Sequence, residues 1–148
     1  MKQDTTRTPF LFSVVGLCFI IDRILKHFAQ NNTDFAYYII KPWLGWEYFA
    51  NSGVAFSIPI PQSFLILFTP IILLLLLTYY TNKSRKTLIF TCAILLVTFG
   101  ALSNFIDRML FGITIDYFRI ITSIFNIADV MIIIGAGLLI VEEYKSNK

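Results

Sequence analysis

Four long apolar runs, at about residues 10–28, 64–81, 88–106 and 124–141, constrain this chain more than any other feature of its sequence. Each comes close to the ~20 residues that cross ~30 Å of hydrocarbon. In lipid every backbone N–H and C=O must be satisfied within its own segment, and runs this long are not the short strands of a barrel, so helices are the economical solution. The expected fold class is an all-α integral membrane protein with four transmembrane helices, a single domain over residues 1–148. Composition agrees: 57% of the residues are hydrophobic and 14% charged, and the mean hydropathy of +0.73 lies outside the range of ordinary soluble globules. The first run also has an alternative reading as a cleavable signal peptide. Against it stand Asp22 and Lys26 near its end and the lack of an obvious small-residue cleavage site.

Orientation follows from charge. The short loop Asn82-Lys83-Ser84-Arg85-Lys86, with Lys2 and Arg7 before the first run and Lys145 and Lys148 after the last, marks the cytoplasmic side by the positive-inside tendency. An even number of spans returns both termini to that side. Segments 29–63 and 107–123 then lie outside. The first of these holds Phe35, Tyr37, Tyr38, Trp43, Trp46, Tyr48 and Phe49. Such a cluster reads as an interfacial aromatic belt, as a small extracytoplasmic strand/helix platform between helices one and two, or as both.

Several chemistries are disfavoured. His27 is the only histidine, which argues against a histidine-based serine or cysteine protease and against a multi-histidine metal site. Cys18 and Cys92 sit inside apolar runs without metal-ligand spacing and read as small apolar side chains. The 12 Lys and Arg residues are dispersed, with a net charge of +3, so no nucleic-acid surface is expected.

The informative residues are polar ones at one membrane depth. Asp22, Lys26, Asn104, Asp107, Arg108, Asn126 and Asp129 fall near the outer ends of helices, and Asn51 and Asp116 lie in the external segments. Ionisable groups at hydrocarbon depth are costly unless paired or facing a wet cavity, so their concentration points to a polar pocket opening outward. For any one of them alone, a helix-bridging hydrogen bond is the simpler role. Asp116 and Asp129 are the candidates for chemistry. A carboxylate pair in a low-dielectric site shares one proton, so one member can activate water while the other protonates the substrate. Asn51, Asn104 and Asn126 offer amides to fix the pair, and Arg108 offers a cation to neutralise Asp107, meet headgroup phosphate or anchor a carbonyl. Asp22 and Lys26 have the i,i+4 spacing of an intrahelical ion pair. Gly53 permits a turn or close backbone approach, while Gly135 and Gly137, around Ala136, predict tight helix packing.

These residues fall in blocks that resemble the lipoprotein signal peptidases, or signal peptidase II, a family of bacterial intramembrane aspartic peptidases. The resemblance runs from Asp22 and Lys26 through Asn51-Ser52-Gly53-Val54-Ala55-Phe56 and Gly100-Ala101-Leu102-Ser103-Asn104-Phe105-Ile106-Asp107-Arg108. It continues through Ile115-Asp116-Tyr117-Phe118 to Phe125-Asn126-Ile127-Ala128-Asp129-Val130. It implies a multi-pass protein of the bacterial cytoplasmic (inner) membrane with both termini cytoplasmic, Asp116 and Asp129 as the catalytic pair, and no metal or other cofactor. Asp22, Lys26, Asn51, Gly53, Asn104, Arg108 and Asn126 match the polar set around that pair. The implied partners are membrane lipids and prolipoproteins with a lipobox whose cysteine carries diacylglyceryl, cut just before that cysteine. Phe99 and Ser103 depart from the pattern, standing where the family usually has glycines. Two readings from other classes remain at this point: a homologue that binds lipopeptides without cutting them, and a small membrane carrier using paired carboxylates as a protonation site.

Overall fold

The computed structural model describes residues 7–53 and 60–146, so Val54, Ala55 and Phe56 of the second block, with Lys2 and Lys148, lie outside the described residues. In chain order the elements are α1 (Arg7–Asn31), β1 (Ala36–Ile40), β2 (Leu44–Asn51), α2 (Gln62–Asn82), α3 (Leu88–Phe111), β3 (Thr114–Ile120), β4 (Ser123–Phe125) and α4 (Ile127–Ser146). The fold is therefore not all-α. One antiparallel sheet, in the order β1-β2-β3-β4, draws two strands from the segment between α1 and α2 and two from that between α3 and α4. Residues 114–120, Thr-Ile-Asp-Tyr-Phe-Arg-Ile, are dominated by β-branched and aromatic side chains, which suit a pleated surface. Their pairing partners lie in β2, more than sixty residues earlier, as in Asn51 opposite Thr114. That separation is why the platform cannot be placed in one segment from local pattern alone.

Helix ends explain the other departures from the apolar runs. α3 continues to Phe111 because nothing breaks it before Gly112, which takes the left-handed conformation (φ +69°) and donates its N–H to the Arg108 carbonyl at 3.0 Å. Asp107 and Arg108 are thus helical. α4 starts only at Ile127, since Phe125 pairs with Phe118 in the sheet and Asn126 caps the helix. At the start of α3, Thr87 accepts a hydrogen bond from Phe90 N at 3.0 Å.

α1, α2 and α3 are long and apolar enough to cross a bilayer. α4 has an apolar stretch bounded by Asp129 on one side and Glu142, Glu143 and Lys145 on the other. None of the residues of α2 is buried within the protein, and its side chains point largely outward, Leu74 being 63% exposed. A helix that apolar on its open faces is matched to lipid. Pro70 lies inside α2, and beside it the Thr69 hydroxyl donates to the Leu65 carbonyl at 2.7 Å. At the other end of the bundle, Glu143 accepts from Lys83 and Tyr79, and Thr87 donates to Glu142 at 2.6 Å, joining the α2–α3 loop to the end of α4.

The most extensive helix contact is between α3 and α4. Two glycines make it possible. A Cβ at Gly100 would lie 2.6 Å from the Ala128 carbonyl oxygen, and one at Gly135 would lie 2.8 Å from that of Ala93. Gly137, expected to share this role, meets nothing within 4 Å and lies off the contact. Phe99 fills a different seam, edge-on to Phe12 and Phe19 at 5.4 and 5.6 Å between ring centroids.

Gly100→Ala is therefore expected to force α4 away from α3 and cost about 1–3 kcal/mol. Gly137→Ala is expected to be neutral or slightly stabilising, because it adds helix propensity in open space. Thermal unfolding of both variants in detergent checks the contrast.

Candidate active site

Ten of the buried residues between the sheet and the helix ends beside it are polar: Asp22, Lys26, Asn51, Ser103, Asn104, Asp107, Arg108, Thr114, Asp116 and Asn126. Asp116 is fully buried on β3, the inner strand between β2 and β4. Its two oxygens are separately held: Oδ2 accepts from Asn51 Nδ2 at 2.8 Å and Oδ1 from Asn126 Nδ2 at 2.6 Å. Phe49 rather than Asn51 is opposite Asp116 in the ladder, so the Asn51 contact is a diagonal one across the strands. Asn51 also bends its own backbone, accepting from Gly53 N at 2.8 Å.

Asp129 occupies the first turn of α4. Asn126 Oδ1 accepts from Asp129 N at 2.8 Å while Asp129 Oδ2 accepts from Asn126 N at 3.4 Å, a reciprocal capping box. Asp129 Oδ1 takes a further bond from Asn104 Nδ2 at 2.7 Å. The side chain of Asn126 therefore touches both acids, donating to Asp116 and capping the turn that bears Asp129. Burial, followed by the nearby charge of Asp129, pushes the Asp116 carboxyl up to about 7, against the opposing hydrogen bonds from Asn51 and Asn126.

Charged side chains of α1 and α3 pack behind this pair. Lys26 Nζ lies 3.2 Å from Asp22 Oδ2 and 2.8 Å from Asp107 Oδ2, with all three side chains fully buried. It also donates to Asn104 Oδ1 at 2.7 Å. Arg23 bonds the other oxygen of Asp107. Asp107 is thus paired with Lys26 and Arg23, which take the first of the roles open to Arg108 in the sequence. Arg108 instead lines a cavity of about 280 Å³ between α2, α3 and α4 together with Asn104 and Asp129, and its buried Nε has no hydrogen-bond partner among the described residues.

A second cavity, of about 370 Å³, lies between the β3–β4 turn and α4 and is also bordered by Asp129. Both are lined mainly by apolar side chains such as Leu65, Ile72, Ile124 and Ile133. Asp129 is half-buried and open to them, whereas Asp116 is closed in.

Arg23, Ser103 and Tyr117 belong to this cluster without having been singled out as site residues. Ser103 Oγ donates to Asp22 Oδ2 at 2.6 Å, so the departure from glycine adds a bond to the network. The only signal for Arg23 is its place in the polar outer turn of the first run, and for Tyr117 its adjacency to Asp116.

The model for the family described as signal peptidase (SPase) II matches residues 14–145. The chain belongs to the signal peptidase II family. Its relatives include a lipoprotein signal peptidase of Halothermothrix orenii, 32% identical over 93% of this chain and 97% of that protein. One from Pasteurella multocida is 32% identical over 99% of this chain and 95% of that protein. A bacterial membrane enzyme solved by the in meso method at 2.3 Å superposes with a TM-score of 0.84, at 28% identity, over 99% of this chain and 93% of that one. A second, solved at 1.9 Å, superposes with a TM-score of 0.76 over 95% and 94%. As a signal peptidase II, the chain is a peptidase of a bacterial membrane.

Removing Lys26 would leave Asp22 and Asp107 buried with too little positive charge. Lys26→Met is expected to destabilise this signal peptidase II by about 3–5 kcal/mol. A lower unfolding temperature and reduced yield of folded protein in detergent are the measurements that check it.

Proposed function

We propose that the chain is an aspartic endopeptidase that removes the signal peptide from prolipoproteins, cutting just before a lipobox cysteine that bears diacylglyceryl. The observation that carries this reading is the joint hold of Asn126 on Asp116 and Asp129, with Asp129 facing two apolar cavities. The relatives' name, lipoprotein signal peptidase, supplies the substrate class.

The mechanism follows from the surroundings of the two acids. Near neutral pH the Asp116 carboxyl, raised to about 7, carries the proton that the pair shares. Asp129, open to the cavities, is the ionised member and takes a proton from an attacking water. Asp116 donates its proton toward the carbonyl oxygen as the tetrahedral intermediate forms, and the proton gained by Asp129 then passes to the leaving nitrogen. Arg108, with an unused donor beside Asp129, is placed to hold a substrate carbonyl.

In this reading four helices span the bacterial cytoplasmic membrane, both termini are cytoplasmic, and the Lys83-Ser84-Arg85-Lys86 loop lies on that side. The site then opens near the outer surface. Apolar cavities reached from lipid suit an acylated peptide, and the reaction calls for no metal or cofactor.

Purified protein in detergent is expected to cleave a diacylglyceryl-modified lipobox peptide before the cysteine and to spare the unlipidated peptide. Asp116→Asn and Asp129→Asn should each abolish turnover while leaving the protein folded, since an amide keeps the shape but cannot share the proton. Normal turnover by either variant would remove the assignment of the pair. Turnover should also fall as pH rises through about 7, because Asp116 is protonated below that value and loses its proton above it. A pH profile of kcat with the lipidated peptide tests that sign.

A further inference from the structure

The first N–H groups of an α-helix have no partner within the helix, and where a helix starts inside a protein they must be met by something else. At the start of α4 each is accounted for. Asp129 N is met by Asn126 Oδ1 at 2.8 Å, and Asn126 N by Asp129 Oδ2 at 3.4 Å. Ala128 N donates to Asp22 Oδ1 at 3.2 Å, and Ile127 N donates to the hydroxyl oxygen of Tyr117 at 3.1 Å. That hydroxyl in turn donates to the same Asp22 oxygen at 2.8 Å.

Tyr117 directly follows Asp116 on β3, and Ala128 directly precedes Asp129 on α4. The Tyr117 ring is fully buried and stacked on Trp46, with centroids 4.8 Å apart and planes within 26°. Burial, with the charge of Asp22 beside it, raises its hydroxyl far above the usual phenol range, so it stays a neutral donor. The other Asp22 oxygen is occupied by Ser103 and Lys26, which fixes the carboxylate that anchors the arrangement.

We propose that Tyr117 is a positioning residue for the reaction: its hydroxyl, gripped by Asp22, ties the strand bearing Asp116 to the first turn of the helix bearing Asp129 and so sets the spacing of the two acids. The ring serves the core and the hydroxyl serves the geometry. Removing only the oxygen leaves the stack on Trp46 in place but frees Ile127 N and one of the acceptor sites of Asp22. This inference rests on the assignment of Asp116 and Asp129 as the reacting pair, and it is tested so that the two can fail separately.

The test uses the full chain in detergent, with Tyr117→Phe compared with the parent and with Tyr48→Phe. Tyr48 packs against the same core, and its hydroxyl has no hydrogen-bond partner among the described residues. Two readouts are taken: kcat and KM on the diacylglyceryl-modified lipobox peptide, and hydrogen–deuterium exchange of the amides at the start of α4. Tyr117→Phe is expected to lower kcat by about tenfold or more while changing KM by less than about twofold, as misplaced reacting groups do. It should also speed exchange at Ile127 and Ala128. Tyr48→Phe should match the parent in both. Parental kcat or parental exchange in Tyr117→Phe overturns the proposal, as does a loss confined to KM. If the parent itself fails to cleave, the assignment of function falls, and the exchange readout alone decides whether the hydroxyl ties the strand to the helix.

Discussion

Everything in this structure depends on keeping buried charge in balance around Lys26. Its ammonium reaches Asp22, Asp107 and the side-chain Oδ1 of Asn104 at once, in a place fully closed to solvent. A buried ion pair need not add net stability, but one member left alone is strongly destabilising. α1 and α3 are therefore joined by a contact that tolerates little change in either partner. Their apolar surfaces, being no more attractive to one another than to lipid tails, supply no comparable restraint.

From Lys26 the constraint passes outward through amide orientation. Because Lys26 donates to Asn104 Oδ1, the Nδ2 of Asn104 is the end left to face Asp129, and it does so at 2.7 Å. Asn126 Nδ2 donates to Asp116, so its Oδ1 is free to cap Asp129 N. An amide has one donor end and one acceptor end. Each asparagine thus converts a fixed charge on one side into a fixed direction on the other. A glutamate or glutamine of greater reach would not keep this order, and the use of three asparagines around two aspartates is a matter of length as well as polarity.

Much of this was legible in the sequence because a membrane simplifies the reading. Residues 10–28, 64–81 and 88–106 fall inside observed helices, since twenty apolar residues in lipid leave the backbone one economical choice. The polar residues were legible for the converse reason: Asp22, Lys26, Asn104 and Asn126 are expensive where they stand. What escaped was long-range or local in the wrong sense. The pairing of β2 with β3 joins segments separated by two helices, and no short window of sequence contains it. Phe125 and Asn126 extend an apolar run yet end a strand and cap a helix. Arg23 sits one residue from Asp22, and choosing between it and Arg108 as the partner of Asp107 requires knowing how α1 is rotated against α3.

The i,i+4 spacing of Asp22 and Lys26 has a further consequence during synthesis. The charged supports Asp22, Arg23 and Lys26 come from the first helix, whereas Asp107, Asp116 and Asp129 emerge long afterwards. When α1 enters the bilayer, its lysine has no partner on any other helix, and only the carboxylate one turn earlier, 3.2 Å away in the finished protein, is at hand to neutralise it. The pair lets the first helix be inserted at low electrical cost and hold its charges in reserve. The same ammonium then takes up Asp107 when the third helix arrives, so the contact that eases the beginning of assembly also completes it.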